Sequence, residues 1–239
     1  MFTSSMKLAE VIQANFNLLS VTHRFGIKLG FGDKTVGQVC SHYDINTSFF
    51  IEIVNTYNDN SYFPQKHLQR FLVTEIIDYL RKTHQHYVSQ SIPFAEKLMN
   101  ELTSDSQNPS EIKLIQKFFF EYKDELLKHL AWEENTVFPY ALGIETAFLH
   151  GKSIESALAQ MKSFSMSTFL DEHDDIESKL NDIKTLFVKY IPPLANQDLC
   201  YKILRELWLL ELDIANHARI EEKVLAPKVA EMEKSLLAL

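Results

Sequence analysis

Over most of the chain, apolar residues return every three or four positions, the spacing of one face of an α-helix. Four long stretches sustain it. The first runs from about Lys66 to Leu102, with a seam of Val73, Ile77, Leu80, His84 and Tyr87. The second follows the loop TSDSQNPS, where Asn108 suits a cap, Pro109 the first helical position and Glu111 the third position after the cap. Its seam is Ile115, Phe119, Tyr122, Leu126, His129, Glu133 and Val137, and it is expected to end near Pro139 to Gly143. The third runs from about Ser153 to Tyr190 and stops at Pro192-Pro193, with a seam of Met166, Phe169, His173, Ile176, Leu180 and Ile183. The fourth runs from about Gln197 to the end, with Ile203, Leu207, Leu210, Ile214, His217, Glu221 and Val224. Pro93 and Pro227 fall late in their patterns and are expected to kink or interrupt them. No strand-like alternation of useful length occurs. The expectation is an all-α protein, an antiparallel four-helix bundle over residues 66–239. Ahead of it, residues 1–57 carry shorter periodic runs around the turn FGIKLGFGDK and predict a small helical module. Residues 58–65, NDNSYFPQ, read as a linker.

Composition narrows the function classes. Of 239 residues, 46% are hydrophobic and 23% charged, as in an ordinary folded domain, and the formal net charge is -8. That charge gives no help in binding phosphate backbones or anionic lipid, so neither nucleic acid nor membrane is an expected partner. Two cysteines, Cys40 and Cys200, make no disulfide framework and no thiolate zinc site. The first residues contain Lys7 and Glu10 within the one candidate apolar run and offer no small-residue cleavage site. No stretch is long and apolar enough to span a bilayer. The expected location is cytoplasmic.

The seams carry the chemistry. Four histidines and two glutamates stand where Leu or Ile belongs. A carboxylate buried without a partner costs several kcal/mol or more, on the order of its desolvation penalty. A pair of metal cations offsets that cost, and neutral imidazole and carboxylate are natural ligands for it. The spacing agrees. His129 and Glu133 are four residues apart, as are His217 and Glu221, so each pair lies on one helix face. His84 precedes His129 by 45 residues (129 minus 84), and His173 precedes His217 by 44 (217 minus 173). Each half of the bundle thus offers one lone histidine and one His/Glu pair.

Singly, each feature has a plain reading. A lone histidine on an apolar face is usually a satisfied core residue, and one His-x-x-x-Glu pair is common on surface helices. Two such pairs on the seam, each with a lone seam histidine upstream, favour the metal. His86 is close to His84, but a two-residue step turns about 200° around a helix, and the seam selects His84. His23, His42, His67 and His150 fall outside the pattern and read as surface or local structural residues. Phe118, Phe119 and Tyr122 read as core packing, with a donor role behind the ligands as the alternative for Tyr122. Glu134, Glu172 and Glu222 rotate off the seam toward solvent or helix-pair roles. The expected metal ligands are therefore His84, His129, Glu133, His173, His217 and Glu221. Each metal would take two histidines and both glutamates would bridge, leaving an open position at each metal and room for an oxo or hydroxo bridge. Iron is the first choice of metal because an open dinuclear pair suits small diatomics, with zinc and manganese as alternatives.

The runs KHLAWEENTVFPY and NHARIEEKVLAP resemble the hemerythrin-type cation-binding signature, His-x-x-x-Glu-Glu with a later proline. RKTHQHYVSQSIP and DEHDDIESKL are similar to the other two helices of that family. The resemblance covers about residues 66 to 235. Glutamate at both positions looks more like the bacterial repair-of-iron-centres proteins than the oxygen carriers, which use a fifth histidine. The segment LAEVIQANFNLLSVTHRFGIKLGFGDKTVGQVC resembles the small domain that precedes the bundle in those repair proteins. Many of them carry a cysteine pair after the turn, where this chain has Gly30-Phe31. Without that pair, the module is expected to serve docking or dimerisation, so a homodimer is among the expected assemblies. The resemblance implies two non-haem irons and a role in iron–sulfur cluster repair or nitric oxide handling under nitrosative or oxidative stress. Nitric oxide or dioxygen would be the small ligand and iron–sulfur proteins the macromolecular partners. Turnover, as reduction of nitric oxide to nitrous oxide, is one alternative, and iron delivery to damaged clusters is another. A reversible sensor or store is a second class, and a structural bundle with a redox-inert metal is a third.

Overall fold

The computed structural model describes residues 1–104, 109–172, 176–191 and 196–238. It is helical throughout, and among the described residues the one β-type pairing is an isolated antiparallel bridge between Lys7 and Thr35. The N-terminal module comprises α1 (Leu8–Ala14), α2 (Leu18–Arg24), α3 (Val36–His42) and α4 (Thr47–Asn58). Thr35 and Gln38 form a reciprocal capping box at the start of α3, and the Asn46 side chain accepts from Ser48 and Phe49 at the start of α4. Between α2 and α3 the chain turns through Gly26, Gly30 and Gly32, all at positive φ, where any other residue would be strained.

The first bundle pattern begins later than its periodicity suggests. Gln65–Leu68 forms a separate short α5, and the bundle helix α6 spans Val73–His86. Its start is held from across the bundle. The Glu145 carboxylate accepts the Val73 and Thr74 backbone N–H groups at 2.5 and 3.0 Å. This satisfies donors that a helix leaves open at its first turn and sets a negative charge against its positive end. Then come α7 (Ile92–Ser104), α8 (Pro109–Trp132) and α9 (Phe138–His150). The second pattern therefore runs past the expected stop at Pro139 to Gly143 and ends only at Gly151, which takes up left-handed φ. Asn108, the expected cap of α8, lies outside the described residues. The third pattern breaks after Met161: α10 (Ile154–Met161) is followed by α11 (Met166–Glu172), and α12 spans Ile176–Tyr190, with residues 173–175 lying outside the described residues. The fourth is α13 (Gln197–Ile220) followed by α14 (Ala226–Leu237), with Asn196 capping α13 through the Leu199 N–H.

The prolines do not break these rods. Between α6 and α7, α8 and α9, and α13 and α14 the helix widens into one π-helical turn, at Tyr87–Ser91, Glu133–Val137 and Glu221–Leu225. In each, the residue just after the turn donates its N–H five residues back: Ile92 to Tyr87, Phe138 to Glu133, Ala226 to Glu221. Pro93, Pro139 and Pro227 come next. A proline lacks the N–H and its ring crowds the carbonyl four residues back, so one extra residue in the preceding turn accommodates it without ending the rod. The insertion also keeps the seam aligned. Glu133, Val137 and Ala141 are spaced by four and all are buried. A four-residue step in an α-helix overshoots one turn by about 40°, and the wide turn absorbs that drift.

Two apolar clusters fill the interior. One joins the module to α6, α9, α11 and α14, through residues such as Leu8, Phe50, Tyr79, Phe169 and Val229. The other lies among α7, α8, α12 and α13 and includes Leu102, Phe119, Leu126, Phe187 and Leu207. Each fully buried large side chain of this kind contributes roughly 1.5–3 kcal/mol. The polar seam residues occupy the layer between the two clusters.

Candidate metal centre

The same local plan places each side chain. His84 and His217 sit in the last turns of α6 and α13, just ahead of a wide turn, and His129 sits in the last turn of α8. Glu133 and Glu221 each open a wide turn. The structure brings His84, Glu133, His217 and Glu221 together, with one ligand atom from each lying within 4.8 Å of the others. All four are buried, Glu133 with no exposure at all. Glu133 presents one oxygen to His129 Nε2 at 3.0 Å and the other to His84 Nε2 at 3.3 Å. Glu221 Oε1 lies 3.1 Å from His217 Nε2. His129 is somewhat more open and reaches the cluster through Glu133. His173 lies outside the described residues.

Around His84 the geometry is tight. Its ring stacks on Phe138 with centroids 5.3 Å apart. Nδ1 donates to Glu134 Oε1 at 2.9 Å, and Arg81 Nε donates to the other Glu134 oxygen at 3.0 Å. This bond fixes the tautomer and turns Nε2 inward, the way a histidine ligand is usually held. Glu134 does rotate off the seam as its position predicts, but it grips a seam histidine instead of facing only solvent. The sequence signal was the second glutamate of each Glu-Glu pair, read there as outward-facing. Tyr122 is buried in the apolar cluster of α7, α8, α12 and α13. His86 turns away from the centre toward the module, where its ring is 6.1 Å from that of His23.

The cluster draws positive charge. Burial works to lower the His84 pKa, but the bonds to Glu133 and Glu134 and the charges of Glu133 and Glu221 outweigh it and lift it to about 9. The Nε2 atoms of His84 and His217 meet at 3.0 Å, a contact that only a shared proton or a cation makes favourable. Two buried carboxylates, converging imidazole nitrogens and a field that favours cations fit a metal site.

Comparison with protein families follows the same line. The model of the Hemerythrin HHE cation binding domain matches residues 75–229, well over half of the chain. The chain belongs to the hemerythrin HHE cation-binding family. No curated protein matches it. The matched span begins within α6 and ends within α14, so it contains every expected ligand of the hemerythrin-like bundle. With the buried His/Glu cluster, it makes this a metal-binding protein.

Neither cysteine joins the site. Both thiols are buried, and burial pushes Cys40 up to about 11, far from a reactive thiolate. No helix among the described residues is long and apolar enough to cross a membrane.

A second buried charge was not foreseen. Arg24 of α2 is buried and forms a two-pronged ion pair with Asp213 of α13, one turn before His217. The same guanidinium donates to Tyr57 Oη at 3.2 Å and lies 5.8 Å from the Tyr87 ring centroid. Tyr87 in turn packs edge-on to His217 at 5.9 Å. A chain of contacts thus runs from the module to the metal layer. Arg24 sits in a short run with no partner spacing of its own, so the sequence offered no signal for it.

Proposed function

We propose that the chain is a non-haem di-iron protein that serves iron–sulfur cluster repair or nitric oxide handling under nitrosative or oxidative stress, in a reducing compartment such as the cytoplasm. The observation that supports this most is the convergence of His84, Glu133, His217 and Glu221 in one buried layer. In this reading His84, His129, His173, His217, Glu133 and Glu221 would hold the two ions. When bound, a ferrous pair with open positions supplies two electrons, which with two protons take two molecules of nitric oxide to one nitrous oxide and one water.

The protein's own part is to hold and to exclude. Glu134 keeps the proton of His84 on Nδ1, so that Nε2 offers a lone pair inward. Phe138 fixes the plane of that ring. The apolar clusters on either side keep bulk water from the layer, which strengthens every electrostatic contact inside it.

The test is anaerobic mixing of the diferrous protein with nitric oxide, followed by gas analysis. About one nitrous oxide per two nitric oxide consumed, with oxidation of both irons, is the expected result. If nitric oxide is taken up and released unchanged under argon, reduction is wrong and the chain is a reversible binder.

A further inference from the structure

Helix α13 has two apolar faces. One is the core seam Ile203, Leu207, Leu210, Ile214 and His217. The other consists of Tyr201, Leu204, Trp208, Leu212 and Ala215, which line an open hollow on the surface together with Arg205, Leu209 and Glu211. Tyr201 is 68% exposed and Trp208 49%. A solvent-facing helix face of this make-up, with a large aromatic at its centre, is the composition of an interface core.

The apolar and charged positions along that face suit a second copy of the same helix. Counted from Trp208, Arg205 and Glu211 lie three residues before and after, Leu204 and Leu212 four, and Tyr201 and Ala215 seven. At about 100° per residue, each of these pairs also lies symmetrically either side of the line through Trp208. When a helix packs antiparallel on its own copy across a two-fold axis, residues equally far before and after the axis meet. An axis at Trp208 therefore sets Leu204 against Leu212, Tyr201 against Ala215 and Arg205 against Glu211, and the last pairing joins opposite charges twice. The charges are ready for it. Glu211 is anchored by the buried Lys184, whose Nζ lies 5.3 Å from the Trp208 ring centroid. Arg205 is 70% exposed and, among the described residues, pairs with its sequence neighbour Glu206. The apolar surface also continues onto the module, since Leu209 and Leu212 line a second hollow with the exposed Phe16 and Leu19.

We propose that the chain forms a two-fold homodimer in which α13 of one protomer packs antiparallel on α13 of its partner, centred on Trp208. Arg205 faces Glu211 of the partner subunit, and Phe16 and Leu19 extend the contact. The metal layer lies on the core face of the same helix, outside the contact.

Sedimentation velocity on the full-length metal-loaded protein over a range of concentrations tests this. Wild type is expected to dimerise. Trp208→Glu is expected to be monomeric, with unchanged helical circular dichroism and metal content. Should Trp208→Glu lose its helical signal, Arg205→Glu sets like charge against Glu211 and is expected to weaken the dimer by at least roughly tenfold. The register is tested by mild oxidation. Trp208→Cys is expected to form disulfide-linked dimers with itself, whereas Tyr201→Cys and Ala215→Cys link only when mixed. Cys40 and Cys200 are buried and do not compete. A wild-type chain that stays monomeric at every concentration, a Trp208→Glu variant that still dimerises, or cysteines that link in another register would each overturn the proposal.

Discussion

At one end of the bundle, α6, α9, α11 and α14 share an apolar cluster with the N-terminal module, and buried polar groups clamp the parts together. Glu145 holds the start of α6, and Glu233 accepts from Tyr140 Oη and the Met166 N–H at the start of α11. Arg24 ties the module to α13 through Asp213. At the other end, α7, α8, α12 and α13 close on an apolar cluster without the module. Several of its ion pairs lie at the surface, such as Lys179 with Glu125, each about half exposed, whereas Lys184 reaches Glu211 from a buried position. The two ends follow the same three-and-four seam, yet one is clamped by buried carboxylates and tied to the module by Arg24, while the other is held by packing, exposed pairs and the pair of Lys184 with Glu211. A metal layer needs side chains held in place on at least one side. The clamped end supplies that, because His84 and His217 are reached from it through Glu134 and through Arg24, Asp213 and Tyr87.

Substitutions on each side can break that contrast. The largest effect is expected from Arg24→Ala. Removing one partner of a buried pair leaves Asp213 uncompensated and costs about 3–5 kcal/mol. Chemical denaturation of the metal-free protein would measure it. A double replacement of both partners by apolar residues of similar volume, Arg24→Met with Asp213→Leu, is expected to recover most of the loss. If the single and double variants are equally unstable, the pair is not what joins the module to α13.

Next comes Glu134→Gln. The amide keeps the size but weakens the hold on His84 Nδ1, and loss of such an outer contact typically costs about 10- to 100-fold in metal affinity. Competition with a chelator measures this, and stability of the metal-free protein should change far less. Equal affinity in variant and wild type would remove Glu134 from the centre.

Glu145→Ala should cost about 1–2 kcal/mol, the upper range for losing a helix cap, since two N–H groups and the Thr74 hydroxyl lose their acceptor. The smallest effect belongs to the exposed pair at the other end. Lys179→Ala is expected to lie below about 1 kcal/mol. Were Lys179→Ala as damaging as Glu145→Ala, the contrast between the ends would fail.

Much of this was legible in the chain. The seams named buried residues of the first, second and fourth rods and, among the described residues of the third pattern, Met166, Phe169, Leu180 and Ile183, because periodicity and burial cost are local properties that one sequence displays. His84 over His86 followed from helical rotation alone. The wide turns were not read, although proline stands six residues after both Glu133 and Glu221. A proline inside a helical pattern fits a break, a kink or an inserted residue equally well, and only the neighbouring rods decide among them. The break at Lys162–Ser165 inside the third pattern was hidden for a related reason: residues 153–161 and 166–190 each keep helical spacing, and nothing between them is glycine or proline. Arg24 was invisible because its partners Tyr57, Tyr79 and Asp213 come from three distant segments. Long-range polar contacts leave no periodic mark.

The most direct test of the central claim is elemental analysis with an ultraviolet-visible spectrum on iron-replete protein, run beside His129→Ala and Glu221→Ala. About two irons per wild-type chain are expected, as a dinuclear centre requires, with ferric absorption that is lost in both variants while the helical signal remains. Little or no iron in the wild type, or iron content unchanged by the two substitutions, would contradict that claim.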